Sequence, residues 1–121
     1  MTEPAFFALA ALVDAPRHGY GILGEVEALS EGRVRIAVGT LYGVLDRLVT
    51  EGLVEPDREE VHRGRVRRYY RLTPDGRGAL EAEVARQEAN ARVAARRLAG
   101  TPAGRPAGRP LGRAATAGGA A

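Results

Sequence analysis

Four arginines fall within six residues, at Arg63, Arg65, Arg67 and Arg68. A guanidinium is permanently charged and presents a rigid fork of N–H donors that matches the oxygens of a phosphate. Residues 61–77 hold six Arg against one acid, Asp75, a local charge of +5. That cluster is suited to a polyanion; the same run also reads as a solvated charged hairpin. The whole chain carries +3, but residues 1–98 sum to zero and three arginines near the C-terminus supply the excess. Any phosphate binding is therefore local and centred on residues 61–77, and does not follow from overall basicity. Asp57, Glu59 and Glu60 lie just upstream and can pair with some of these arginines in the free protein.

Other chemistries have little to work with. There is no cysteine, which removes disulfides and thiolate ligands. His18 and His62 are the only histidines and lie far apart, so neither a metal site nor a cofactor is expected. His18 reads as a turn residue. No pair of carboxylates, nucleophile with a nearby base or glycine-rich phosphate loop appears, so no catalytic residue is assigned and the chain is not read as an enzyme. No apolar run approaches the roughly 20 residues that span a bilayer, and the N-terminus lacks a secretory layout. The cytoplasm is the expected compartment, with no membrane partner. At 121 residues one domain with one core is expected.

The elements that must position the arginines follow from apolar spacing. Residues 3–14 form a first helix, capped by Thr2 with Pro4 in its first turn. Phe6, Phe7, Leu9, Leu12 and Val13 make it apolar nearly all round, which implies burial on more than one side and hints at a partner subunit. Residues 19–30 form a second helix on Ile22, Leu23, Val26 and Leu29. Gly21 and Gly24 within it are read as permitting another element to approach closely. Val34 and Ile36 alternate with arginines as a very short strand. Residues 39–51 form a third helix, buried through Leu41, Leu45, Leu48 and Val49 and stopped by Gly52. Its other side carries Thr40, Tyr42, Gly43, Asp46 and Arg47. Strands are expected at 53–56 and 66–72, joined by an outward-projecting polar loop over 57–65. Of Tyr69 and Tyr70, which point to opposite faces of the strand, Tyr70 is assigned to the core with Leu72. Thr73-Pro74-Asp75 starts a fourth helix running to about Leu98. Its Leu80, Val84, Gln87, Ala91, Ala94 and Leu98 alternate steps of four and three, a thin coiled-coil seam.

The fold class read from this order is mostly α with a small β-hairpin: a winged helix-turn-helix followed by a C-terminal dimerisation helix. Residues 1–73 are assigned to the winged domain, 74–98 to the dimerisation helix and 99–121 to a disordered Gly/Pro/Ala/Arg tail. Two Gly-Arg-Pro triplets in that tail look like the core of AT-hook peptides without their basic flanks. In this architecture the third helix enters the DNA major groove and the hairpin reaches the neighbouring backbone or minor groove.

Three segments carry a family resemblance: His18-Gly19-Tyr20-Gly21-Ile22; then Gly39-Thr40-Leu41-Tyr42, Leu45-Asp46-Arg47-Leu48 and Glu51-Gly52-Leu53; then Arg68-Tyr69-Tyr70-Arg71-Leu72-Thr73 with Gly76. In this order they resemble the PadR family of bacterial winged-helix regulators, over about residues 6–98. The short last helix resembles the subfamily with a single C-terminal helix. The chain differs from the family pattern at Val38, where a capping residue is usual, at Gly43, and at Asp46, where a base is common. The resemblance implies a homodimer whose last helix packs on the partner's first and last helices. It also implies repression of a nearby gene through a double-stranded DNA operator, with release in some members by a small aromatic effector. Only six aromatic residues and no Trp are present, so an effector pocket is placed, if anywhere, between the first and last helices.

The residues expected at DNA are Tyr20, Thr40, Tyr42, Arg47, Arg63, Arg65 and Arg67. Those expected at the dimer interface are Phe6, Phe7, Leu80, Val84, Ala91 and Leu98. A rival reading is a winged-helix protein-protein interaction module that binds no DNA, favoured by Asp46, Gly43 and the zero net charge of residues 1–98. A third is a DNA-binding protein of another winged-helix family, against which the Tyr-Tyr strand and the His-Gly-Tyr turn stand.

Overall fold

The computed structural model describes residues 1–102. The tail assignment beyond Pro102, with its Gly-Arg-Pro triplets, lies outside the described residues. The chain divides into two compact units, Met1–Arg86 and the segment from Gln87 onward.

The elements run α1 (Glu3–Ala11), β1 (Arg17–His18), α2 (Gly19–Leu29), α3 (Val38–Thr50), β2 (Val54–His62), β3 (Arg65–Leu72) and α4 (Pro74–Ala99). Thr2 caps α1, its Oγ1 accepting from Ala5 N at 3.2 Å. The helix stops at Ala11, three residues before the sequence-based expectation, because Arg17 supplies an outside donor. Its Nε donates to the Ala11 carbonyl at 2.8 Å, satisfying an oxygen that a longer helix would have bonded internally. Thr73 starts α4 as its sequence suggests. Its Oγ1 accepts from Gly76 N at 2.9 Å and donates to the Gly52 carbonyl at 2.7 Å. The second unit continues α4 to Ala99, where Thr101 Oγ1 donates to the Arg97 carbonyl at 3.2 Å.

The core of the first unit forms where α1, α2 and α3 present their apolar stripes to one another and to the sheet. Leu9, Ile22, Val26, Leu41, Leu45 and Val54 are fully buried there. Tyr70 joins them, as its alternation with Tyr69 predicts. Leu41, Leu45 and Leu48 hold α3, while Thr40, Tyr42, Gly43, Asp46 and Arg47 stay exposed.

The sheet has three antiparallel strands in the order β1-β3-β2. Two expectations about it need correction. The short strand is not at Val34 and Ile36. Ser30 holds that segment instead, its Oγ accepting from Val34 N at 3.0 Å, and both apolar side chains pack on the core from a loop. The short strand is Arg17–His18, paired with Tyr70 and Tyr69. Nor is 57–65 a long loop. The hairpin is zipped to its tip, with His62 opposite Arg65 and a two-residue turn. That turn is Arg63-Gly64, both with positive φ, 53° and 78°. This is the mirror-image turn whose twist matches a hairpin. Apart from the exposed cross-strand pair Val61 and Val66 the outer ribbon is polar, so no apolar alternation marks it; cross-strand charge pairs line it instead. Glu59 meets Arg68 at 3.3 Å and Glu55 meets Arg71 at 3.0 Å.

The glycine expectation holds at one position and not at the other. A Cβ at Gly21 would lie 3.3 Å from the His18 ring of β1, whereas one at Gly24 would meet nothing within 4 Å. Tighter approaches are found at Gly19 and Gly76.

Candidate nucleic-acid interface

A groove of about 940 Å³ opens between α3 and the hairpin. The start of α2 contributes His18, Gly19 and Tyr20; α3 contributes Tyr42 and Asp46; the hairpin contributes His62, Arg63 and Arg65 to Arg68. Of the residues expected at DNA, the structure gathers Tyr20, Tyr42, Arg63, Arg65 and Arg67 around this groove. Tyr20 is 66% exposed and Tyr42 41%. The Tyr42 phenol lies against the first residue of α2. A Cβ at Gly19 would come within 2.5 Å of its Oη, so only glycine leaves it that position. Sequence reasoning missed Gly19 in this role because the contact joins two helices 23 positions apart.

Thr40 and Arg47 are exposed on the opposite flank of α3. They line a second groove of about 940 Å³ with Met1, Thr2 and Pro4 beside the start of α1. The helical period explains the division. Positions 40 and 47 stand two turns apart on one side, and 42 and 46 one turn apart on the other. The outward strip between the flanks carries Gly39 and Gly43, where an added Cβ would meet nothing.

The hairpin sorts its arginines. Arg71 binds Glu55 and Asp57, at 3.0 and 2.8 Å. Arg58 binds Asp57 and Glu60, both at 3.0 Å, and lies 4.0 Å over the Tyr69 ring. These guanidinium contacts hold the Asp57 and Glu60 carboxyls below the ordinary carboxylate range. Arg68 pairs with Glu59. Among the described residues, Arg63, Arg65 and Arg67 form no ion pair. The acids upstream of the cluster thus neutralise Arg58, Arg68 and Arg71 and leave three cations at the hairpin's end. Arg68 also lines the groove, on the strand face it shares with Tyr70.

His18 is half-buried between β1 and α2, its ring 5.2 Å from that of Tyr69. Burial lowers its pKa from 6.5, and the charges of Arg67 and His62 lower it further; Glu60 opposes them. A histidine depressed in the folded state stabilises the fold above its unfolded pKa. That contribution is lost as pH falls from 6.5 through the folded value. The melting temperature is expected to drop between pH 7.5 and pH 5.5, and His18→Gln is expected to flatten that slope. An unchanged slope in the variant would show that His18 is not its source.

The residues expected at a dimer interface occupy two places. Phe6 and Phe7 are half-buried on α1, edge to face with centroids 5.2 Å apart. Leu80 packs against the core and Val84 is exposed. In the second unit Ala91 and Leu98 are exposed, Leu98 by 74%. Among the described residues no helix is long and apolar enough to cross a membrane, and no group of three or more His, Cys, Asp or Glu could hold a metal.

Comparison with known proteins bears on the arrangement. Over 66 residues, 54% of this chain, the sequence is 42% identical to transcriptional regulator Rv3488 of Mycobacterium tuberculosis, covering 61% of that protein. The chain spans less than two thirds of the length of the curated relatives it matches. A PadR family transcription regulator from Clostridium difficile superposes with a TM-score of 0.68 at 21% identity, covering 80% of this chain and 99% of that one. Bacillus subtilis PadR, solved in complex with operator DNA, superposes at 0.60 with 20% identity, covering 66% and 46%. Four helices and a small antiparallel sheet are the fold shared with these winged-helix neighbours. Residues 8–82, comprising the end of α1, α2, α3, the sheet and the start of α4, match the family described as "Transcriptional regulator PadR-like family". The chain therefore belongs to the PadR-like family of transcriptional regulators.

Proposed function

We propose that this protein binds an operator in double-stranded DNA as a homodimer and represses a neighbouring gene. The observation that carries the reading is one groove that joins the exposed Tyr42 of α3 to three unpaired hairpin arginines, Arg63, Arg65 and Arg67. With α3 in the major groove, roughly 12 Å wide, its two flanks face the two walls. Tyr42 meets one wall, and Thr40 and Arg47 the other. Tyr20 and the hairpin arginines then lie toward the adjoining backbone, where phosphate contacts set register and most of the affinity. The B. subtilis relative solved on its operator supports this use of the fold.

In this reading residues 1–73 bind DNA and 74–98 dimerise. Phe6, Phe7, Leu80, Val84, Ala91 and Leu98 supply the apolar contacts of the dimer, and a small aromatic effector would act between the first and last helices. The protein works by binding, not catalysis, and does so in the cytoplasm. A mobility-shift assay against the DNA upstream of its own gene tests the reading, with light scattering for the dimer. A shift that weakens steeply with salt is expected, from a particle of twice the chain mass. No shift at low salt would select the protein-binding reading, which Asp46 on the exposed side of α3 favours. A monomer at micromolar concentration would remove the dimer.

A further inference from the structure

Asp46 is the one acid on α3 that shares the groove with the arginines. It is exposed, and it lines both the 940 Å³ groove and a smaller cavity of about 570 Å³ between α3 and the sheet. Arg63, Arg65, Arg67 and Arg68 line the first of these with it. Yet among the described residues its carboxylate makes no hydrogen bond and no ion pair. The one bond at this residue uses its backbone, whose carbonyl accepts from Thr50 Oγ1 at 3.0 Å. Every other acid in the groove lining is engaged: Glu59 pairs with Arg68. The four guanidinium groups that line the groove with it make no ion pair with Asp46, and its charge is felt at Tyr70, whose phenol pKa is raised first by burial and then by Tyr42 and Asp46. Asp46 is one helical turn from Tyr42 on the side of α3 that faces the groove, and Gly39 and Gly43 leave the strip beside it bare.

We infer that Asp46 is a specificity-determining residue that accepts a hydrogen bond from the N4 amino group of a cytosine in each operator half-site. The inference rests on the reading of α3 as the helix in the major groove. A carboxylate has only acceptors to offer. It is repelled by phosphate oxygens, by guanine O6 and N7 and by thymine O4. Cytosine presents an amino donor on the major-groove edge, and carboxylate to cytosine N4 is the pairing that geometry favours there. Adenine also offers an amino group, but beside its N7 acceptor, which suits an amide better. The bare glycine strip lets the helix axis approach the base edges, within reach of a side chain as short as Asp. Asp46 thus subtracts general affinity, through phosphate repulsion, and adds discrimination at one base pair.

The test is selection of bound sequences from a random duplex pool by the full chain, by Asp46→Ala and by Asp46→Asn, at one fixed salt concentration. The wild type is expected to enrich a cytosine at one position of each half-site. Asp46→Ala should lose about tenfold preference at that position alone, while binding random DNA more tightly than the wild type. Asp46→Asn should move the preference to adenine, since an amide matches adenine N6 and N7 together. Arg65→Ala is the control and should weaken all sequences alike. Equal melting temperatures would show that the variants fold, as an exposed side chain without partners predicts. Superimposable base preferences in the wild type and both variants would overturn the assignment while leaving DNA binding intact. Failure of the wild type to enrich any sequence would overturn the DNA reading itself, and this inference with it.

Discussion

Replacing Arg65 and Arg67 together by alanine is expected to lower affinity for operator DNA on the order of a thousandfold. A dimer loses four guanidinium contacts, each worth on the order of 1 kcal/mol once hydration and entropy are offset. The slope of log affinity against log salt should fall by about four, because each phosphate contact releases roughly one counterion. The loss belongs to binding and not to folding. Neither side chain forms an ion pair in the hairpin, whose strands are tied by Arg68 to Glu59 and by Arg71 to Glu55 and Asp57. The melting temperature should therefore stay close to that of the wild type. The same variant has a second readout. Arg67 is one of the charges that depress His18, so its removal should let the His18 pKa rise toward 6.5, measurable by proton NMR. Fluorescence anisotropy at several salt concentrations decides the main point. Unchanged affinity and slope would mean that the hairpin is a solvated ribbon with no role at DNA.

Gly76→Ala is expected to destabilise the fold by about 3 kcal/mol, near the upper end for overpacking a close-packed site. In a chain of this size that corresponds to a fall in melting temperature on the order of 10–20 °C. Gly76 lies in the first turn of α4, where Thr73 draws the chain onto the loop after α3. A Cβ there would collide with the Leu53 carbonyl oxygen and come within 2.8 Å of Leu72 Cδ1. The carbonyl is backbone and already accepts from Thr73 N at 3.1 Å, so it cannot swing aside without breaking the junction between β2 and α4. Gly78, two residues on, is the contrast. An added Cβ meets nothing there, and in a helix alanine is favoured over glycine by roughly 1 kcal/mol. Gly78→Ala should raise the melting temperature slightly. Similar small effects from the two substitutions, followed by calorimetry, would show that the α4 junction is not tightly packed.

The stripes of Leu41, Leu45 and Leu48, the caps at Thr2 and Thr73 and the burial of Tyr70 are legible in the chain. Each depends on neighbours within a turn or on strict alternation, and local spacing is what a sequence displays directly. The hairpin is legible only as two strands. Its outer half carries charges on both faces and no apolar period, so it reads as loop until the opposite strand supplies a partner for Glu59. The first strand of the sheet is two residues long and exists because Tyr69 and Tyr70, some fifty positions away, pair with it.

Residue spacing by itself determined that α3 has a buried side and a polar side, and that arginines gather in the second half of the hairpin. Only the tertiary structure decided which of those groups meet. It set Tyr42 and Asp46 on the hairpin side and Thr40 and Arg47 on the other, and among the described residues it left Arg63, Arg65 and Arg67 without an ion pair. The reason is physical: helical and strand periods assign a side chain to a face, but which face meets which depends on how the elements dock through long-range packing and cross-strand register.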